Sequence, residues 1–308
     1  MAYLKIYGTN GSQAGPEGSN KPKLGTNTIC YGIFNNKEVV FLDAVSGLIK
    51  ASKELLELEP EKITIVLSHF HHDHIDGFLL AQMSYHTPYG TKPNIYGPPF
   101  IKEALKKRFA PLVSPCSIKS LINIESFNEI EENQELIIGD IFLRTFTGGY
   151  HPPSLDRKLK KDQRSRLLNN HGVLGWIVEV EGHRIAYATD MEFDYKKIND
   201  KVVPISKTER QRRINNYITA VYGSKILIAD GQYTEDEYTT QGKYHGFGHS
   251  YPEQVIGLAL EAKVGKIIIS HHMPTRTDKE IDDLETKLRR KFSQIEINFA
   301  REGDIIQI

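Results

Sequence analysis

The segment Ile63-Thr64-Ile65-Val66-Leu67-Ser68-His69-Phe70-His71-His72-Asp73-His74 decides the fold. Its first half, Ile63 to Ser68, is a mostly apolar run that predicts a buried strand. Its second half sets four histidines and an aspartate within six residues, directly at the end of that strand. His69 and His71 are two residues apart, and on extended chain they project to the same side and can grip one metal ion. Asp73 and His74 then come round the turn and can grip a second. Neutral imidazole with carboxylate is a ligand set that suits zinc, and also manganese or iron.

Outward from this segment, the chain of 308 residues is long enough for a sizeable core. Lys plus Arg is 39 and Asp plus Glu is 39, so the formal net charge is zero, which argues against binding nucleic acid through overall basic charge. No apolar run approaches a membrane span. The start, Met1 to Gly8, lacks the basic and apolar regions of a signal peptide, so a cytoplasmic protein is expected. The two cysteines, Cys30 and Cys116, each sit alone and read as core thiols.

Strand signals recur along the chain at Tyr3 to Gly8, Asn27 to Phe34, Glu38 to Asp43, Glu135 to Thr147 (split at Gly139-Asp140), Val173 to Val180, Arg184 to Thr189, Ile226 to Asp230 and Lys266 to Ser270. Helical spacing appears at Gly47 to Leu58, Phe100 to Phe109, Ser250 to Ala262 and Asp278 to Phe292. Ser250 and Glu253 have capping-box spacing, with Pro252 in the first turn. The basic stretch Lys196 to Ala220 reads as solvated surface. Strands and helices mix from end to end without a linker, so a single α/β domain over residues 1–308 is expected.

The pattern H-x-H-x-D-H, present as His69, His71, Asp73 and His74, resembles the signature of the metallo-β-lactamase superfamily. Further motifs of that family appear in order. Gly149-Tyr150-His151-Pro152 resembles its third-histidine motif. Ala186 to Asp190 resembles the strand ending in its bridging aspartate, and Ile267 to His271 the strand ending in its last histidine. The resemblance runs from about residue 3 to about residue 285. It implies an αββα sandwich of two mixed β-sheets flanked by helices. It also implies two divalent metal ions, zinc foremost, with manganese or iron as alternatives. One would be held by His69, His71 and His151, the other by Asp73, His74 and His271, with Asp190 bridging. His272 is adjacent to His271, and His271 is preferred because it ends the strand as the family's ligand does.

Within the superfamily, fold alone does not give the substrate. Tyr7 to Ser12 with Gly25 to Thr28, Ile228 to Thr234, and Gly246-Phe247-Gly248-His249-Ser250 resemble motifs of the ribonuclease Z-like phosphodiesterases. Ser270 to Pro274 resembles bacterial and phage members of this branch, including cyclic-nucleotide phosphodiesterases. Anti-Pycsar phosphodiesterases and phosphoribosyl cyclic phosphodiesterase are neighbours there. The resemblance implies hydrolysis of a small phosphodiester, foremost a 3′,5′-cyclic nucleotide, by a hydroxide held between the two metals. Asp73 would set the metals, His249 would act as the acid, and Asp230 would orient His249.

An RNA 3′-end nuclease of the ribonuclease Z type needs the same core and is the alternative. A lactone or thioester hydrolase gains nothing from His249 and Asp230, and the intact ligand set argues against a metal-stabilised protein that binds a nucleotide without cleaving it. Two departures stand out. After His151-Pro152 the family has a short glycine-rich turn, whereas here the basic insertion Pro153 to Asn170 intervenes and is expected to contact substrate phosphate or a second subunit. A dedicated tRNA-binding arm is not visible. Relatives dimerise, so a homodimer is expected from the resemblance.

Overall fold

The computed structural model describes residues 1–15, 21–110, 112, 114, 117–152, 172–198 and 200–308. The basic insertion at 153–170 and Cys116 lie outside them. Cys30 is buried, as expected of a core thiol.

The first sheet contains β1 (Tyr3–Gly8), β2 (Cys30–Asn35), β3 (Glu38–Leu42), β4 (Lys62–Val66), β5 (Asn94–Gly97) and β6 (Ser126–Glu129), with β16 (Ile305–Gln307) beside β1 at its edge. The second contains β7 (Glu135–Ile138), β8 (Ile141–Phe146), β9 (Gly175–Val180), β10 (His183–Ala188), β13 (Ile226–Asp230), β14 (Lys266–Ser270) and β15 (Glu296–Phe299). A separate ribbon pairs β11 (Tyr195–Ile198) with β12 (Lys201–Pro204). Each sheet is mixed. From β3 to β6 the neighbours run parallel, and so do β10, β13, β14 and β15.

The apolar runs are explained by burial on both faces. Alternate residues of one strand serve opposite layers. Val40, Leu42, Val66, Trp176, Val178, Ile228 and Ile268 pack between the sheets. Phe41 and Ile65 face outward against Leu48, Ala51 and Leu55 of the Ser46–Leu58 helix. Ile267 and Ile269 face outward against Val255 and Ala259 of the Pro252–Glu261 helix and Ile281 and Leu288 of the Asp278–Lys291 helix. The architecture is therefore the expected αββα sandwich. No described helix is long and apolar enough to cross a membrane.

Three sequence expectations need correction. Ser250 does not cap the next helix. Its hydroxyl donates to the Met191 carbonyl, and the N-cap is Tyr251, which makes no side-chain cap bond. The full capping box is instead Thr277 with Glu280. The stretch Lys196 to Ala220 is not simply solvated surface. It forms the β11–β12 ribbon and the Lys207–Val221 helix, in which Arg213 is buried and donates to the Gly149 carbonyl at 3.1 Å. The strand expected from Asn27 starts at Cys30, because the Thr28 amide bonds the Ser46 hydroxyl instead of a neighbouring strand.

In open α/β sheets the carboxyl ends of parallel strands are where ligands bind. Here the ends of β3, β4, β10, β13 and β14 lead into Asp43, Ser68-His69, Asp190, Asp230 and His271. The loop after β1 closes this edge, with the Gly11 amide donating to the His272 carbonyl at 2.9 Å and the His272 amide to the Thr9 carbonyl at 2.9 Å.

Candidate metal centre

Seven of the expected residues converge on this edge. His69, His71 and His151 form one group whose ligand atoms lie within 4.8 Å of one another, and Asp73, His74 and His271 form another. Asp190 stands between them, grouped with His69 and His74 on one side and with His271 on the other. His72 points away into solvent, with 73% of its side chain exposed.

Backbone geometry aims several of these side chains. Asp43, Asp190 and His271 all have positive φ (61°, 61° and 57°), a conformation that non-glycine residues rarely adopt. Each costs of order 1 kcal/mol or more and is sustained only where the surroundings enforce it. Gly11 and Gly248 give the rings room. A Cβ on Gly11 would lie 2.2 Å from Nδ1 of His271, and one on Gly248 would lie 2.1 Å from Nδ1 of His151.

The decisive pattern lies in how the ring nitrogens are used. His74 donates Nδ1–H to Asp43 Oδ2 at 2.7 Å. His271 donates Nδ1–H to Gln232 Oε1 at 2.9 Å, and His151 donates Nδ1–H to the Gly248 carbonyl at 3.1 Å. The Ser68 hydroxyl donates to Asp43 and accepts from His69 Nδ1 at 3.0 Å. These acceptors fix the tautomers, so in the neutral rings each Nε2 keeps a lone pair. The Nε2 atoms of His69, His74 and His271 and Oδ2 of Asp190 are buried and have no hydrogen-bond partner. Nε2 of His151 lies 2.8 Å from Nδ1 of His71. Buried polar atoms without partners are costly. Inward lone pairs whose opposite nitrogens are tied to protein oxygens are the design of metal-ligating histidines. The donor set therefore fits divalent metal ions.

Electrostatics divide the rings. Burial, then neighbouring imidazoles, hold His69 and His151 well below the ordinary histidine value, in the neutral ligating form. His74 differs: burial opposes its charge, but Asp190, then Asp43 and Asp73, outweigh it and hold the ring well above the ordinary histidine value. Burial likewise opposes ionisation of Asp73 and Asp190, but the adjacent His74 and His271 outweigh it and hold both carboxyls well below the usual range. A divalent cation at Nε2 of His74 would take the place of that ring's second proton.

His272 takes no part. Its buried ring bonds the Ala300 carbonyl at 3.1 Å and stacks on Phe299. His249 and Asp230 form a pair beside the cluster, with Nδ1 of His249 donating to Asp230 Oδ2 at 2.7 Å. Asp230 also accepts from the Asp190 and Gln232 amides, so both its oxygens are engaged, and it lies close to Asp190, His249 and His271. Burial disfavours the charged form of His249, but Asp230 outweighs it and raises the pKa to about 9.

Sequence reasoning missed Asp43, Gln232, Tyr187 and Glu192. Asp43 accepts from His74, from the Ser68 amide at 2.8 Å and from the Tyr187 hydroxyl at 2.5 Å. Its signal was a carboxylate ending the apolar run Val39 to Leu42.

Residues 39–272 match the beta-lactamase superfamily domain, about three-quarters of the chain, and the chain belongs to that superfamily. Membership of that superfamily, together with ribonuclease Z relatives among curated proteins, makes it a metal-dependent hydrolase. Among curated proteins it is similar to the ribonuclease Z of Oceanobacillus iheyensis, 26% identical over 251 residues, covering 76% of this chain and 79% of that one. It is also similar to the ribonuclease Z of Thermoplasma acidophilum, 22% identical over 262 residues, covering 80% and 79%. A diphosphatase from the PhnP family superposes with a TM-score of 0.65 at 16% identity, covering 100% of this chain and 98% of that one, a likeness of fold.

Proposed function

We propose that this chain hydrolyses phosphodiesters, and that its substrates are small nucleotide phosphodiesters, 3′,5′-cyclic nucleotides first. The observation that carries the reading is the His249–Asp230 pair set against the cluster of inward lone pairs. His69, His71 and His151 would hold one ion, Asp73, His74 and His271 the other, and Asp190 would touch both. Divalent ions there would supply Lewis acidity, drawing charge from phosphate oxygens and making water nucleophilic at neutral pH.

The rest is the work of side chains. Asp43 and Gln232 hold His74 and His271 in one tautomer. Asp230 keeps His249 charged and fixes its ring, leaving Nε2–H to donate to the departing oxygen. Burial around His249 and Asp230 strengthens these interactions.

The names of the curated relatives support a second reading, cleavage of RNA near its 3′ end. The deciding experiment assays zinc- or manganese-loaded protein against a panel of 3′,5′-cyclic mononucleotides and a precursor tRNA. Linear mononucleotides as product, lost in His249→Ala, support the first reading. Trimmed RNA with untouched cyclic nucleotides replaces it with the second.

A further inference from the structure

Glu192 lies two residues beyond Asp190 and is completely buried. Its Oε1 accepts from the Tyr238 hydroxyl and the Gly246 amide, each at 2.7 Å, and its Oε2 accepts from the Gly248 amide at 2.7 Å. Its backbone pairs with Tyr150 through two hydrogen bonds, of 2.6 and 2.8 Å. Both glycines have positive φ, 76° and 93°, so the loop they frame is sharply bent. That loop leads directly into His249, and its Gly248 carbonyl fixes the tautomer of His151.

A single residue thus joins these segments: its backbone pairs with the segment before His151, and its carboxylate holds Tyr238 and the loop before His249. Burying a carboxylate is expensive, and an apolar residue would leave the Tyr238 hydroxyl and the Gly246 and Gly248 amides unpaired. Three donors on one buried acceptor instead give a rigid loop, which preorganised chemistry requires.

We propose that Glu192 is a positioning residue for the phosphodiester reaction, holding the Gly246–Gly248 loop so that His249 keeps its working geometry. The proposal rests on the function proposed above. It places the effect of Glu192 on turnover, through His249, and leaves metal content unchanged.

The test is Glu192→Gln in the full chain, loaded with zinc or manganese. Glutamine has one acceptor oxygen, so at least one of the three donors loses its partner. We expect kcat on a 3′,5′-cyclic mononucleotide to fall about 10- to 100-fold with KM within about threefold. Metal content should stay at the wild-type value, and amide exchange at Gly246 and Gly248 should accelerate. In a His249→Ala background the same change should cost less than about threefold, because both act through one ring.

Wild-type kcat with unchanged exchange overturns the proposal, and so do losses that multiply fully across the two backgrounds. If Glu192→Gln does not fold, Tyr238→Phe removes one partner and keeps the carboxylate. Faster loop exchange with a several-fold lower kcat then supports the clamp, and neither change refutes it. If the wild type cleaves no phosphodiester, the functional reading falls, and loop exchange in Glu192→Gln with the NMR signals of the His249 ring decides the clamp separately.

Discussion

Asp43 and His74 lie 31 residues apart in the chain, and the Asp43 carboxylate takes the Nδ1 proton of His74 at 2.7 Å with both side chains fully buried. Asp43 also gathers the Ser68 amide, the Ser68 hydroxyl and the Tyr187 hydroxyl, so it braces residues of both sheets against one ring. In Asp43→Asn an amide donor replaces one acceptor oxygen in a site where every neighbour donates. Metal affinity should fall about 10- to 100-fold, read by competition with a chromogenic chelator. Wild-type affinity in a folded variant would show that Asp43 serves the fold alone.

His69→Ala should lower bound metal, measured by elemental analysis, and reduce hydrolysis more than about 100-fold. His72→Ala, at the exposed position of the same motif, should keep both. Chelator treatment should abolish activity, and added Zn²⁺ or Mn²⁺ should restore it. Equal behaviour of the two variants would contradict the division of the motif into ligating and exposed rings.

Two glycine substitutions should have opposite signs. Gly11→Ala drives a methyl to 2.2 Å from Nδ1 of His271, so it should cost about 1–3 kcal/mol and weaken metal binding. Gly257→Ala lies within the Pro252–Glu261 helix with open space around it, so it should stabilise by about 0.5–1 kcal/mol. Denaturant unfolding of the two variants checks both signs.

Glu209 sits between Lys196 and Arg213 at 2.6 and 2.7 Å. Burial raises its pKa, but the two cations outweigh this and bring it from 4.5 to about 2. A depressed folded-state value means the contribution is complete above pH 4.5 and is lost as pH falls toward 2. Glu209→Gln should therefore lower stability at pH 6 and flatten the decline between pH 4.5 and 2. Parallel pH–stability curves for the two proteins would rule this out.

Trp176 is the sole tryptophan, is fully buried between the sheets, and donates to the Leu67 carbonyl at 3.2 Å, just before Ser68 and His69. Its emission should be blue-shifted and move red on unfolding. Trp176→Phe removes that donor from a buried carbonyl and should cost about 1–3 kcal/mol, read as a lower Tm.

The parts of this architecture legible in sequence were those dictated locally. Ile63 to Val66, Ile226 to Asp230 and Lys266 to Ser270 read as buried strands because both faces of each are covered, leaving apolar residues at nearly every position. The histidine-rich segment was readable because the cluster is contiguous. What escaped depends on distant partners. Gln232 meets His271 across 39 residues, and Glu192 meets Gly246 across 54, with no local pattern to announce either. Four-residue strands such as Asn94–Gly97 are too short to show a period. In the Lys207–Val221 helix the buried stripe of Arg213, Ile214, Tyr217, Ala220 and Val221 hides among charges. Ser250 had the right spacing to cap a helix, but tertiary structure directed its hydroxyl to Met191.

The converging side chains are contributed from both sheets, beginning with His69 and ending with His271. A ribosome adding about 5–20 residues per second needs roughly 10–40 s to pass from the first to the last. Throughout that interval the nascent chain presents its early histidines without their counterparts. Metal capture at the complete centre therefore belongs to the end of synthesis, and a chain truncated before His271 would expose a sticky half-site to whatever ions and proteins surround it.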